Sequence, residues 1–180
     1  MKKPELLAPA GSFEKAKVAF MYGADAVYCG TASLSLRSRA EVDDNDLEKT
    51  IKYAHSIGKK VYAALNIYAW DTNYEEIEKQ VKMLDEVHVD AIIASDGGVI
   101  QKIREIAPNI EIHVSTQANV VSYHAAKFWY DNGAKRVILG RETSKDQIQE
   151  IMKNKPEDLE VEMFIHGALC WAYSGRCFLC

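Results

Sequence analysis

Short apolar runs alternate with longer amphipathic stretches along the whole chain. The apolar runs have the length of buried β-strands, and the stretches between them follow the 3.6-residue period of helices. Seven predicted strands occur, at residues 6–10, 25–30, 60–68, 90–96, 110–116, 136–142 and 161–167. Six helices are predicted between them, one from Ser12 to near Gly23, one capped by Asp44 or Asp46 and ending at Gly58, and the others at 73–87, 98–107, 119–133 and 144–155. Regular alternation of strands and helices predicts a parallel sheet with right-handed crossovers.

Polar and apolar residues alternate within several of the predicted strands. Ile112 and Val114 share one face of their strand, whereas His113 and Ser115 share the other. A doubly wound sheet is covered by helices on both sides and favours continuously apolar strands, whereas a polar inner face suits a barrel. The pattern therefore predicts an α/β fold, a (β/α)8 TIM-barrel-like domain over residues 1–180, with about seven strands and truncated at its C-terminal end.

Composition narrows the class of protein. The chain has 180 residues, of which 48% are hydrophobic, and a formal net charge of −4. An acidic balance gives no bulk attraction to nucleic acid, although it leaves room for a local basic groove. No run approaches the roughly 18 apolar residues of a membrane span, and the N-terminus lacks the apolar core of a signal peptide. We therefore expect a cytoplasmic protein without a membrane partner, in which thiols stay reduced.

Three of the four cysteines lie close together at the end of the chain. Six residues separate Cys170 from Cys177, around an Ala-Tyr-Ser-Gly turn that can direct two thiolates to one metal centre. Cys177 and Cys180 also form a C-x-x-C pair, which suits zinc or redox chemistry. The alternative is a set of buried thiols that act as small hydrophobic groups. Cys29 stands alone in a strand and is predicted to pack against a helix.

Polar side chains recur at the predicted carboxyl ends of the strands, where the active sites of barrels form. Glu162 and His166, four residues apart on one predicted strand, suit acid–base chemistry or a divalent metal, and Arg141 suits a carboxylate or phosphate. We predict catalytic roles for Glu162, His166, Arg141 and Gln117, and substrate binding by Asn66, Asp96, Ser115, Glu142 and, on a long loop at 31–43, Arg37. The alternative is a polar network that only fills the interior of the barrel.

The C-terminal sequence EMFIHGALCWAYSGRCFL resembles the signature of the collagenase-like peptidase family of unknown catalytic type, peptidase family U32. The matching positions are Glu162, Phe164, Gly167, Ala168, Leu169, Cys170, Gly175, Cys177 and Leu179. The family usually has serine where Cys180 stands, so the chain departs from the pattern there. Similar blocks occur in family order along the chain, among them LLAPAGSFEKAKVAFMYGADAVYCG, ASDGGVI, IHVSTQANV and KRVILGRE.

The resemblance implies an enzyme when the protein is full length, and it implies specific partners. Hydroxylating members of the family hold a four-iron four-sulfur cluster on cysteines that match Cys170 and Cys177, together with two further cysteines downstream. The implied substrate is a pyrimidine in tRNA or ribosomal RNA, with a prephenate-like carboxylate as a second partner. Members typically continue past this motif, so we expect no complete cluster within these residues. The open barrel is also expected to be prone to self-association.

Two alternative functions stay open beside RNA hydroxylation. A collagenase-like, metal-dependent protease needs a nucleophile or a catalytic metal, yet the sequence contains no H-E-x-x-H motif, and Cys170 with His166 is the closest approach to a Cys–His pair. In a non-catalytic binding scaffold, the polar side chains at the carboxyl ends of the strands would take no part in a reaction. We rank hydroxylation first because it accounts for the paired cysteines and for the arginines together.

Overall fold

The computed structural model describes residues 3–31, 34–35, 41–167 and 172–174, and all structural statements refer to these residues. The strands within them are β1 (Leu7–Pro9), β2 (Ala26–Thr31), β3 (Glu41–Val42), β4 (Lys60–Ala64), β5 (Ala91–Ala94), β6 (Glu111–Val114), β7 (Arg136–Ile138) and β8 (Glu160–Glu162). The α-helices are α1 (Phe13–Met21), α2 (Asp44–Ser56), α3 (Tyr74–Glu86), α4 (Gly97–Ile106), α5 (Tyr123–Asp131) and α6 (Lys145–Asn154).

The strands form one parallel sheet whose order follows the chain. The order is β1-β2-β4-β5-β6-β7-β8, and β3 pairs with the carboxyl end of β2. All seven predicted strands are confirmed, whereas β3 was missed because its two residues lie in the stretch predicted as a long loop. The curled sheet is that of an incomplete (β/α)8 barrel, as predicted, with β1 and β8 at its two edges.

The two faces of the sheet carry different side chains. The outer face, which includes Val61, Ile92 and Val137, joins residues of the helices in the main hydrophobic core. Cys29 belongs to this layer and is buried, which confirms its predicted packing against a helix. The inner face holds a smaller apolar cluster around Tyr62, together with the polar residues described below.

Side-chain caps fix where the helices begin. Ser12 Oγ accepts from Lys15 N at 3.2 Å, and this cap was predicted. The cap of α2 was predicted at Asp44 or Asp46, and this was wrong. The capping residue is Asp43, whose Oδ1 accepts from Asp46 N at 2.8 Å. Asp44 and Asp46 lie instead in the first turn, where negative charge also stabilises a helix. No helix in the described part of the chain is long and apolar enough to cross a membrane.

Candidate functional site

Three of the predicted site residues meet at the carboxyl mouth of the barrel, the end at which the strands finish. Asn66 follows β4, and its Nδ2 lies 3.2 Å from Gln117 Oε1 and 3.4 Å from Ser115 Oγ. The Ser115 hydroxyl also bonds to Gln117 Oε1. Ser115 N donates to Ala94 O at 2.8 Å, so the end of β5 positions the cluster. The result is a half-buried set of amide and hydroxyl groups that can hydrogen-bond a ligand.

A pocket of about 440 Å³ opens between the end of β7 and the segment after β8, and Arg141 and His166 both line it. The Arg141 guanidinium carbon lies 4.5 Å from the centre of the Phe164 ring, which is a cation–π contact. Arg141 N donates to Ser174 Oγ at 3.3 Å, which anchors the backbone of the loop. The remaining lining is mostly apolar, as in typical small-molecule sites, and includes Leu139, Ile148, Met163 and Ile165.

Two predicted substrate-binding residues are engaged in the structure of the mouth loops. Asp96 Oδ1 accepts from Gly98 N at 2.9 Å and from Val99 N at 3.0 Å, so it caps the amino terminus of α4. Glu142 Oε1 accepts from Asn119 Nδ2 at 2.9 Å when the amide is oriented as its partners require. Both carboxylates therefore hold loops in place, and their contact with substrate stays a prediction.

Glu162 faces the interior of the barrel. Its Oε2 accepts from Arg136 Nη1 at 3.2 Å, and only 19% of the side chain is exposed. Burial raises the pKa of Glu162, and the nearby Arg136 guanidinium offsets only part of that effect. A buried carboxyl group with a raised pKa is better suited to general acid chemistry than an exposed one.

The prediction that Glu162 and His166 lie on one strand was wrong. Strand β8 ends at Glu162, and residues 163–167 have no strand structure. The alternation that predicted a longer strand continues into a segment that is exposed rather than paired. His166 therefore lines the mouth pocket with Arg141, whereas Glu162 binds Arg136 inside the barrel.

Sequence reasoning missed the buried ion network at the amino-terminal end of the barrel. Arg136 is 6% exposed, and besides Glu162 it binds Glu5 Oε1 at 2.8 Å and Glu160 Oε2 at 2.9 Å. Tyr62 Oη donates to Glu5 at 3.0 Å. Arg136 is the first residue of the buried strand β7, and a charged residue at that position indicates that it has partners. Which residues those partners are depends on how the sheet curls.

His113 was predicted on the polar face of its strand but not as a site residue. It is fully buried, and its ring centre lies 4.6 Å from that of Tyr62 in an edge-to-face arrangement. Neither ring nitrogen has a hydrogen-bond partner, although Glu111 Oε2 lies 3.5 Å from Nε2. Burial lowers the pKa of His113, so the ring is neutral at neutral pH.

The predicted metal ligands Cys170 and Cys177 lie outside the described residues, as do Cys180 and Arg37. Cys29 is the cysteine within them, and it is unsuited to ligate a cluster. It is 1% exposed on the helix side of the sheet, and burial raises the pKa of its thiol to about 12. No group of three or more His, Cys, Asp or Glu side chains in the described ranges is arranged to bind a metal.

Residues 11–180 match peptidase family U32. The chain belongs to this family. Over 98% of its length it is 49% identical to the tRNA hydroxylation protein P of Haemophilus influenzae, of which it covers 38%. Over 97% of its length it is 38% identical to the 23S rRNA 5-hydroxycytidine C2501 synthase of Escherichia coli, of which it covers 26%. It is also 34% identical over 97% of its length to a collagenase of Porphyromonas gingivalis, of which it covers 44%.

The solved structure of the U32 peptidase Mk0906 shares the fold, with a TM-score of 0.68 and 14% sequence identity. The match covers 91% of this chain and 70% of that protein. The predicted TIM-barrel-like fold and the resemblance to the family are thereby confirmed. The chain spans less than half the length of the three curated relatives named above.

Proposed function

We propose that the protein to which this chain belongs hydroxylates a pyrimidine base in tRNA or ribosomal RNA in the cytoplasm. The observation that carries the proposal is the 49% identity, over nearly the whole chain, to a tRNA hydroxylation protein. A second relative, named for the synthesis of 5-hydroxycytidine in ribosomal RNA, has the same chemistry on another RNA. Membership of one family does not by itself select the activity, because a collagenase also matches over most of the chain.

The groups at the mouth suit the recognition of a base and of a small anion. Asn66 and Gln117 carry amides, which can hydrogen-bond the edge of a pyrimidine, and Ser115 adds a hydroxyl group. Arg141 offers a planar guanidinium that suits the carboxylate of a prephenate-like partner. His166 lines the same pocket and is suited to proton transfer. In this proposal, Glu162 acts from inside the barrel as a buried carboxyl group whose pKa is raised by burial.

The proposed reaction also requires a redox cofactor. Replacing a ring C–H bond by C–OH adds one oxygen atom and removes two electrons from the base, so an oxygen donor and an electron acceptor must take part. We assign a four-iron four-sulfur cluster to Cys170 and Cys177, with the remaining ligands supplied from outside these residues. The burial of Cys29 supports this division, because four thiolates are needed and Cys29 is unsuited to be one of them.

A collagenase-like protease is the second candidate, and the similarity to the Porphyromonas gingivalis collagenase favours it. A catalytic zinc site needs three protein ligands in reach of one another. The described part of the chain contains no such group. Hydroxylation is our first choice because the relative named for tRNA hydroxylation is 49% identical to this chain, whereas the collagenase is 34% identical.

Nucleoside mass spectrometry on a strain that lacks the full-length gene tests the proposal. We expect one hydroxylated pyrimidine to disappear from tRNA or ribosomal RNA and to return with the wild-type gene. The double variant C170A/C177A should not restore it, whereas Cys29→Ala should, because that thiol packs in the helix layer. Unchanged RNA, together with metal-dependent cleavage of gelatin by the purified protein, would favour the protease instead.

A further inference from the structure

Exposed aromatic rings are concentrated at the carboxyl mouth of the barrel. The described residues contain six large aromatic side chains that are more than a third exposed. Four of them lie on segments at the mouth, with exposed fractions of 73% for Trp70, 70% for Tyr173, 41% for Tyr68 and 39% for Phe164. Grouped exposed rings usually mark an interaction surface, because burying them in a complex releases water from a large apolar area.

The four rings, which we call the aromatic rim, lie on segments at the same mouth as the polar groups of the candidate site. Trp70 lies four residues after Asn66, on the segment between β4 and α3. A tight turn holds its backbone, because Trp70 N donates to Asn73 Oδ1 at 2.9 Å and Asn73 N donates back to Trp70 O at 2.8 Å. Phe164 stacks with Arg141 on the other side of the mouth, and Tyr173 precedes the serine that binds the Arg141 backbone.

We infer that the aromatic rim binds unpaired RNA nucleotides by stacking. This inference rests on the proposed function and specifies how its substrate is held. Flat rings bind the faces of unstacked bases, while neighbouring amides reach the edges of those bases. Paired RNA presents phosphates and 2′-hydroxyl groups instead of base faces, and a rim of rings offers little to bind them.

Among the described residues, the charges on the mouth segments favour stacking over contacts with phosphate. Arg141 and Lys145 are cations on these segments, and Asp71, Asp96 and Glu142 are anions on them. Phosphate contacts make binding strongly dependent on salt, because they release counterions, whereas stacking does not. We therefore expect selectivity for single strands and a shallow dependence of affinity on salt concentration.

Fluorescence anisotropy of a labelled 12-nucleotide oligouridylate, titrated with the full-length protein, tests the inference. Trp70→Ala and Tyr173→Ala should each raise the Kd about tenfold, which is typical for the loss of one stacking ring. Trp70→Phe, which keeps a ring, should restore most of the affinity and so excludes misfolding as the cause. Tyr22→Ala is the matched control, because Tyr22 is 85% exposed but follows α1 at the opposite end of the barrel.

Several results would overturn the inference. They are an absence of binding, an equal loss of affinity in Tyr22→Ala, or equally tight binding of a 12-base-pair RNA duplex. A salt dependence steeper than that of two phosphate contacts, which is a slope of about −1.4 in log Kobs against log salt concentration, would also overturn it. Binding of a gelatin peptide that is lost in the same rim variants would identify the surface as a peptide site. The two proposals can fail separately. If the deletion strain loses a hydroxylated pyrimidine but the protein does not bind the oligonucleotide, the stacking role of the aromatic rim is refuted and the proposed function stands.

Discussion

Substitution of Arg136 by methionine should destabilise the fold strongly, because this residue joins opposite edges of the open barrel. Its guanidinium binds Glu5, which precedes β1, and Glu162, which ends β8. Glu5 and Arg136 are 131 residues apart in sequence. Methionine preserves most of the apolar stem of the side chain while it removes the charge and the hydrogen bonds.

The magnitude follows from the burial of the network. The Arg136 side chain is 7% exposed, and those of Glu5 and Glu162 are 29% and 19% exposed. Removal of one member of a buried ion pair costs about 3–5 kcal/mol, because it leaves a charge without compensation. Since both carboxylates are partly exposed, we expect a loss of about 3 kcal/mol in the free energy of unfolding at pH 7.

The pH dependence of this loss provides a second test. Burial raises the pKa of Glu5, but the hydrogen bond and charge of Arg136 outweigh it and lower the pKa overall. A lowered folded-state pKa stabilises the protein above the ordinary carboxyl pKa, and this stability is lost as the pH falls through that region. Without Arg136 the carboxyl groups of Glu5 and Glu162 should both take up protons more readily. The deficit of Arg136→Met should therefore shrink as the pH falls from 7 toward 4.

Urea unfolding followed by circular dichroism, at pH 7 and at pH 4.5, measures both effects. Arg104→Met is the matched control, because Arg104 lies on the surface and its Nη1 donates to Asn132 O at 3.1 Å. The control should lose less than about 1 kcal/mol. Equal losses in the two variants, or a deficit of Arg136→Met that does not change with pH, would refute the role of Arg136 as a link across the barrel.

Three further predictions address single features. Asp96→Ala should lower the free energy of unfolding by about 1 kcal/mol in urea titrations, because it removes the cap of α4, and Asp96→Asn should lower it less. His113→Phe should leave stability at pH 7 unchanged or raise it, since both ring nitrogens lack partners. The wild type should lose stability below about pH 6.5, because the histidine takes up a proton in the unfolded chain but not in its buried site. This loss should be smaller in His113→Phe. The open edge at β8 should allow self-association visible by light scattering, and Ile165→Lys, at a side chain that is 81% exposed, should shift the chain toward monomer.

The order of elements was predictable from the sequence, because the signals that set it are local. A strand reveals itself by its apolar run, and a helix by its period and by caps such as Ser12 and Ser144, which act within three or four residues. Alternation along β6 was also sufficient to place His113 and Ser115 on one face. The convergence of Asn66, Ser115 and Gln117 followed from the same logic, since parallel strands all finish at one end of a barrel.

Only the tertiary structure decided which charged groups meet across the barrel. The pairing of Arg136 with Glu5 depends on the curvature of the whole sheet, which brings its first strand opposite its last ones. Strand β8 stops at Glu162 although the alternation continues, because the paired length of a strand depends on its neighbour and not on its own pattern. The sequence by itself therefore determined the strands, the helices and the faces of their residues, whereas the contacts across the barrel arose from the way in which the sheet curls.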